Sequence, residues 1–227
     1  MGTKERRQRE KKDQRQKILD AALEIINQEG FAALSMRKLA DRIEYSPASI
    51  YLHFDSREHI ARELSAAGYA QLLDRLTAAA SNPNPIERLT AVNQSYVAFG
   101  LEHPETYRLI FMGDSGYMTA VFAEKTTDSP ADRSYQLLLD LAKDLKRAGF
   151  DLGRTTANEF AEILWAAMHG IVSLKLTCPI FPASPAATLA KVMTRTLING
   201  LHPKKPVAKN TVREPQRRRQ ASRNQYP

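Results

Sequence analysis

The chain has 227 residues, 43% of them apolar, enough to bury a core in one or two domains. The single cysteine, Cys178, excludes an internal disulfide and a cysteine-rich zinc site, and fits a reducing, cytoplasmic home. No run approaches the roughly 18 apolar residues of a membrane span, and the charged N-terminus lacks the apolar segment of a secretory signal.

The net charge of +8 is unevenly placed. Residues 1–17 carry eight Lys/Arg against three acids, residues 203–227 eight against one, and the stretch between is mildly acidic. This layout suits a globular body whose ends meet a polyanion. The plain alternative is two solvated, disordered ends.

In chain order, residues 1–13 read as a basic flexible arm. A first helix follows from about Asp13 to Glu29, with Ile18, Ala22, Ile25 and Leu19, Leu23, Ile26 at helical spacing and Gly30 as its stop. Ser35 caps a second helix over about 36–43, with Leu39 and Ile43 on one face. Glu44-Tyr45 is the turn. Ser46-Pro47 opens a third helix over about 47–53, because Ser accepts from the free N–H groups and Pro at the first position loses no bond. Its inward stripe is Ile50, Tyr51 and Phe54. Short helix, turn, short helix is the helix-turn-helix plan, whose second helix enters the DNA major groove.

Asp55-Ser56 caps a longer fourth helix that ends before Ser81-Asn82-Pro83. Beyond it, Asn84-Pro85, His103-Pro104, Ser129-Pro130 and Ser184-Pro185 each precede a helical segment. Glu87 and Asp132 add capping-box patterns. Gly149 and Gly200 read as stops. The predicted helices are 85–102, 104–112, 115–124, 130–148, 154–176 and 185–200. Thr177–Pro182 is the best rival for a strand, but its prolines favour a loop. The fold class is therefore all-α: a three-helix head plus a larger helical body, about nine to ten helices altogether. The tail from Pro203 to residue 227, rich in Lys, Arg, Gln and Pro, is expected to be disordered.

At this point residues 14–74 resemble the tetracycline-repressor (TetR) family. The resemblance rests on Ile18, Ala21-Ala22, Gly30-Phe31, Leu39-Ala40, Ser46, Ile50-Tyr51, His53-Phe54 and Arg57-Glu58-His59-Ile60. Glu44 stands where the family usually has Gly, so the turn carries strain if its φ is positive; Arg57 stands where Lys is common and keeps the charge. In the body, Trp165, His169 and Gly170 resemble the Trp-His-Gly signature of one class of C-terminal domain. The resemblance implies a homodimeric repressor whose body, residues 75–202, binds a small molecule and thereby releases a palindromic operator.

Ser35, at a helix start, is placed to bind phosphate. Ser46 caps the recognition helix. The resemblance makes Tyr51 a phosphate contact, and His53 and Arg57 backbone or groove-edge contacts. Arg37 can reach a guanine edge, Ser49 can hydrogen-bond a base, and Ala48 and Leu52 can pack on a thymine methyl. The alternatives are a core Tyr51 with its hydroxyl at the surface, and His53 and Arg37 on solvated faces. The arm from Lys4 to Lys12 is a further candidate for phosphate contact.

The ligand-pocket candidates are Tyr107, Phe111, Met112, Tyr135, Trp165, Met168 and His169. Tyr96, Phe99, Met118, Phe122, Leu138 and Val172 are further wall candidates. Apolar and aromatic walls suit a small-molecule site, and they suit any helical core equally. The last two helices would pair with their copies through Ala157, Ala161, Leu164, Ile171, Leu189, Val192, Met193, Thr196 and Leu197. GxSxG, HExxH, Walker and dinucleotide motifs are all missing, so no catalytic residue, metal or cofactor is expected. The competing readings are a regulator answering to a protein partner or to nothing, and a nonspecific DNA-binding protein.

Overall fold

The computed structural model describes residues 3–123, 127–178 and 180–203. Ten α-helices run through them: α1 Thr3–Glu29, α2 Met36–Arg42, α3 Pro47–Tyr51, α4 Arg57–Ala79, α5 Pro85–Glu102, α6 Pro104–Phe111, α7 Ser115–Phe122, α8 Pro130–Arg147, α9 Ala157–Thr177 and α10 Ala186–Asn199. Two two-residue strands, β1 Phe150–Asp151 and β2 His202–Pro203, pair antiparallel. The expected disorder of the tail falls outside the described residues, apart from Pro203 in β2.

Helix starts follow local chemistry. Ser35 Oγ accepts the Lys38 amide, Ser46 Oγ the Ser49 amide, and Ser56 Oγ the His59 amide. Ser129 and Asp132 close a full capping box. At α5 the pattern differs: Asn84 caps with its own side chain, while its backbone N–H goes to Asn82 rather than to Glu87. A second full box, Thr156 with Glu159, starts α9 three residues later than the sequence suggested. Gly149 ends α8 at φ 91°, whereas Gly200 keeps a right-handed conformation at φ −73°.

The first helix departs most from expectation. It begins at Thr3, not near Asp13, so the described part of the expected flexible arm is helical. Apolar periodicity starts only at Ile18. What extends the helix beyond it is a run of Arg, Lys, Gln and Glu, good helix formers free of Gly and Pro, aided by the Arg6–Glu10 pair one turn apart.

Two cores form. The head core holds Ile18, Ala22 and Ile25 of α1, Leu34, Leu39, Ile50, Phe54 and Ile60. It also takes in Leu109 from α6 and Tyr117 and Ala120 from α7. The body core is built from α4, α5, α6, α8, α9 and α10. Helix α4 serves both, with Ile60, Ala61 and Leu64 in the head and Tyr69, Leu72 and Leu76 in the body. At 23 residues it is a strut of about 35 Å.

Candidate nucleic-acid interface

Helix α3 is short and two-sided. Ile50 is fully buried, while Tyr51 is 55% and Leu52 76% exposed. Ala48 and Arg37 are also exposed, and Ser49 is half-buried with its hydroxyl 2.8 Å from that of Ser46. A large apolar side chain as exposed as Leu52, beside an exposed Tyr, adds nothing to this subunit's own core and is available to a partner. The turn before α3 holds Glu44 at φ 58°, where an L side chain is strained. Tyr51 therefore belongs to the surface rather than to the inward stripe.

His53 is half-buried, and its Nδ1 is buried without a partner. Burial first, then the positive charges of Lys11 and Arg15, push its pKa below the ordinary value, so the ring is neutral near pH 7. Arg15 sits 4.4 Å over the Phe54 ring and makes two contacts to the Glu63 carboxylate, at 3.0 and 3.1 Å. This binds α1 to α4 and holds Glu63 below the usual carboxylate range. Arg57 is placed differently from the other expected contacts. Its guanidinium lies over Phe31, donates to the Leu34 carbonyl at 3.3 Å and pairs with Glu58 at 2.9 Å. It braces the head with its side chain still partly exposed.

The body brings most of the expected pocket residues together as one aromatic cluster. Trp165 Nε1 donates to the Tyr96 hydroxyl at 3.0 Å, Tyr96 and Tyr107 hydroxyls lie 3.1 Å apart, and the Tyr107 hydroxyl is 2.7 Å from His169 Nδ1. Indole N–H only donates. The indole N–H, both hydroxyls and His169 Nδ1 are all used if the chain of donation runs Trp165, Tyr96, Tyr107, His169, which leaves the imidazole proton on Nε2. Burial keeps both tyrosine hydroxyls protonated and pushes His169 below its ordinary value. Phe111 touches Tyr69, Tyr96, Tyr107, Trp165 and His169 with ring centroids 4.8–5.9 Å apart, and Tyr135 lies against Trp165. The approach of α5 to α6 and α9 is possible because position 100 is Gly: a Cβ there would lie 2.5 Å from Val172 and 2.9 Å from Tyr107.

Met168 is buried in the body core and Met112 packs against it. Met118 packs on the head core instead, and Phe122 is 55% exposed. A groove of about 930 Å³ opens on another side, between α4, the end of α7 and the start of α8. Asp55, His59, Glu63, Tyr69, Phe122 and Asp132 are among its walls. Tyr69 is common to both places: it faces the groove and stacks edge-on against Phe111.

Sequence reasoning missed Asp114. Its carboxylate accepts the Phe31 amide of the head at 3.2 Å and the Tyr117 amide at the start of α7 at 2.9 Å. Tyr117, edge-on to Phe31, donates to the Ala61 carbonyl of α4. An Asp immediately before a helix start is a cap signal; its reach into the head has no sequence signature.

The expected pairing surface needs correction. Ala161 and Leu164 are fully buried inside one subunit, and Met193 and Leu197 pack against its core. The large apolar side chains that α9 and α10 leave outside are Val192, 41% exposed, which was expected there, and Ile163, 51%, and Leu174, 40%, which were not. Ile163, Ala167, Gly170 and Leu174 share one face of α9 at steps of four, three and four residues. A Cβ on Gly170 would meet nothing within 4 Å.

A three-helix head with a capped, outward-facing second helix-turn-helix element, carried on a helical body, defines a helix-turn-helix regulator. The comparisons agree. Residues 18–64 match the family of bacterial regulatory proteins described as tetR, and residues 89–197 match the tetracyclin repressor-like C-terminal domain. The chain belongs to the tetR family of bacterial regulatory proteins, whose members are DNA-binding transcriptional regulators and not enzymes. The matched C-terminal domain does not name a Trp-His-Gly class. An uncharacterized HTH-type transcriptional regulator, YobS of Bacillus subtilis, is 30% identical over 90 residues, 40% of this chain and 47% of that one. The HTH-type transcriptional repressor KstR of Rhodococcus jostii is 31% identical over 84 residues, 36% and 38% of the two chains. The chain thus spans less than half the length of these two relatives. A solved structure from Rhodococcus sp. RHA1 superposes with TM-score 0.63 at 25% identity, covering 82% of this chain and 94% of the other. The fatty acid degradation regulator FadR of Bacillus halodurans shares the fold, with TM-score 0.65 at 14% identity over 84% and 97%.

Proposed function

We propose that the chain is a homodimeric transcriptional repressor that grips a palindromic operator in the bacterial cytoplasm and releases it when a small molecule enters the body. The observation that carries this reading is the pair of unsatisfied surfaces: Tyr51 on α3 with Leu52 just after it, and Ile163, Gly170 and Leu174 on α9. Each is apolar surface with no use inside one subunit. Pairing α9 and α10 with their copies buries the second and fixes the separation of two copies of the first. Two heads then meet two half-sites spaced by one turn of DNA or a multiple.

Release needs a path from body to head. Phe111 lies at the centre of the ring cluster, and Asp114, three residues on, holds the Phe31 amide of the head. A ligand that displaces Phe111 or Tyr69 pulls on that tie and on α4 at once. The required difference in affinity between the two arrangements is on the order of 1–3 kcal/mol. A second reading, a body packed solid and answering to a protein partner, is favoured by one fact: the cluster's two hydroxyls, the indole N–H and His169 Nδ1 already satisfy one another.

Mass in solution tests the pairing. The full chain is expected at twice its 25.5 kDa. Gly170→Arg is expected to stay helical, since its Cβ meets open space, yet to be monomeric and to lose operator binding. A monomeric unaltered chain, or a Gly170→Arg variant that still dimerises, contradicts the reading.

A further inference from the structure

The head core ends at Ile18, but α1 runs on to Thr3. From Lys4 to Gln14 every side chain is exposed. At 3.6 residues per turn, positions 4, 7, 11 and 15 fall on the same face as Ile18, Ala22 and Ile25. The line that makes the core therefore continues past its edge as Lys4, Arg7, Lys11 and Arg15. The acids of this stretch, Glu5, Glu10 and Asp13, lie on other faces, and Glu10 pairs with Arg6 there. The strip points toward the α3 side of the head. Arg15 lies over Phe54, and Lys11 with Arg15 is close enough to His53 to disfavour its charged form.

We propose that this overhang is a second DNA contact, a basic helical strip in which Lys4, Arg7 and Lys11 lie along the sugar–phosphate backbone just outside each half-site. The inference rests on the reading that α3 docks on duplex DNA. It differs from a solvated charge run in two respects: the strip carries four of the eight cations of residues 1–17 and none of their three acids, and that face is aligned with the core by an unbroken helix. From Lys4 to Lys11 the strip is about 10 Å long, or about three base-pair steps. It carries no base readout, because ammonium and guanidinium groups on phosphates position without specifying. Its signature is a longer protected duplex and a steeper salt dependence, independent of the flanking sequence.

The test uses the full chain and two triple variants of equal charge change: Lys4→Gln/Arg7→Gln/Lys11→Gln on the strip, and Arg6→Gln/Arg9→Gln/Lys17→Gln on the other faces. Each is titrated, over a range of salt, against a selected inverted repeat trimmed to its half-sites and against the same repeat with five base pairs of arbitrary sequence added at each end. The unaltered chain is expected to prefer the longer duplex at least tenfold at low salt. The strip variant is expected to lose that preference and to flatten the log K against log salt slope by about 5, for six phosphates per dimer. The control variant is expected to keep most of both. Equal losses in the two variants, or no length preference in the unaltered chain, overturn the strip while leaving operator binding intact. An unaltered chain that binds no inverted repeat overturns both readings.

Discussion

Asp114→Ala removes a carboxylate that ties the start of α7 to the head link. Two contacts disappear. The cap on α7 is worth about 0.5–2 kcal/mol, and the Phe31 amide, left half-buried without an acceptor, costs about 1–3 kcal/mol. The two share one side chain and do not add fully, so about 2–4 kcal/mol is expected. For a chain of this length each kcal/mol moves the melting temperature by roughly 2–4 °C, which gives a fall of about 5–15 °C. Asp114→Asn keeps a side-chain oxygen and should recover at least half of it. Thermal and denaturant unfolding of the three proteins supply the measurement. The same variant has a functional consequence: with the tie cut, an effector found by screening should still bind but should no longer lower operator affinity. If Asp114→Ala unfolds within 0.5 kcal/mol of the unaltered chain, the contact is not holding head to body and the proposed route of release fails.

Three further outcomes are expected. Glu44→Gly relieves a left-handed φ of 58° and should stabilise the head by about 1 kcal/mol, read as a rise in melting temperature with operator affinity retained. Tyr51→Phe and Leu52→Ala should leave stability within about 0.5 kcal/mol, because both side chains are mostly exposed, while each weakens operator binding several-fold in a direct titration. Acid should weaken the fold through His169. Burial lowers its pKa from 6.5, so the unfolded chain takes up the proton first. Stability is whole above about 6.5 and falls as pH drops from there through the lower folded value. His53 acts in the same direction. His169→Gln should flatten that limb of the stability–pH curve.

The fold was largely legible because its boundaries are set by local chemistry. Ser35, Ser46-Pro47, Asn84-Pro85 and Ser129-Pro130 cap and start helices by bonds within three residues, and those bonds are present. The N-terminal helix was misjudged because apolar periodicity reports burial, and residues 4–14 form a helix without being buried. The α9 part of the pairing surface is misassigned for a different reason, while Val192 of α10 is exposed as expected. Helix α9 carries apolar residues on two faces, Leu164 and Met168 on one, Ile163 and Leu174 on the other, and spacing alone does not tell which face meets the subunit's own core. The reach of Tyr117 and Leu109 into the head, and of Asp114 to Phe31, depends on how α6 and α7 cross α4. These contacts join residues more than 45 positions apart, beyond any local pattern. The ring cluster sits between these cases: Tyr107, Phe111, Tyr135, Trp165 and His169 were visible as aromatic candidates, but their mutual hydrogen bonds were not.

The most direct measurement is selection of duplexes from a random pool by the purified full chain, with the recovered sequences aligned. The account expects an inverted repeat whose two arms sit about one turn apart, as two α3 helices on one dimer require. Recovery of a single unpaired site, or of no preferred sequence at modest salt, would contradict it.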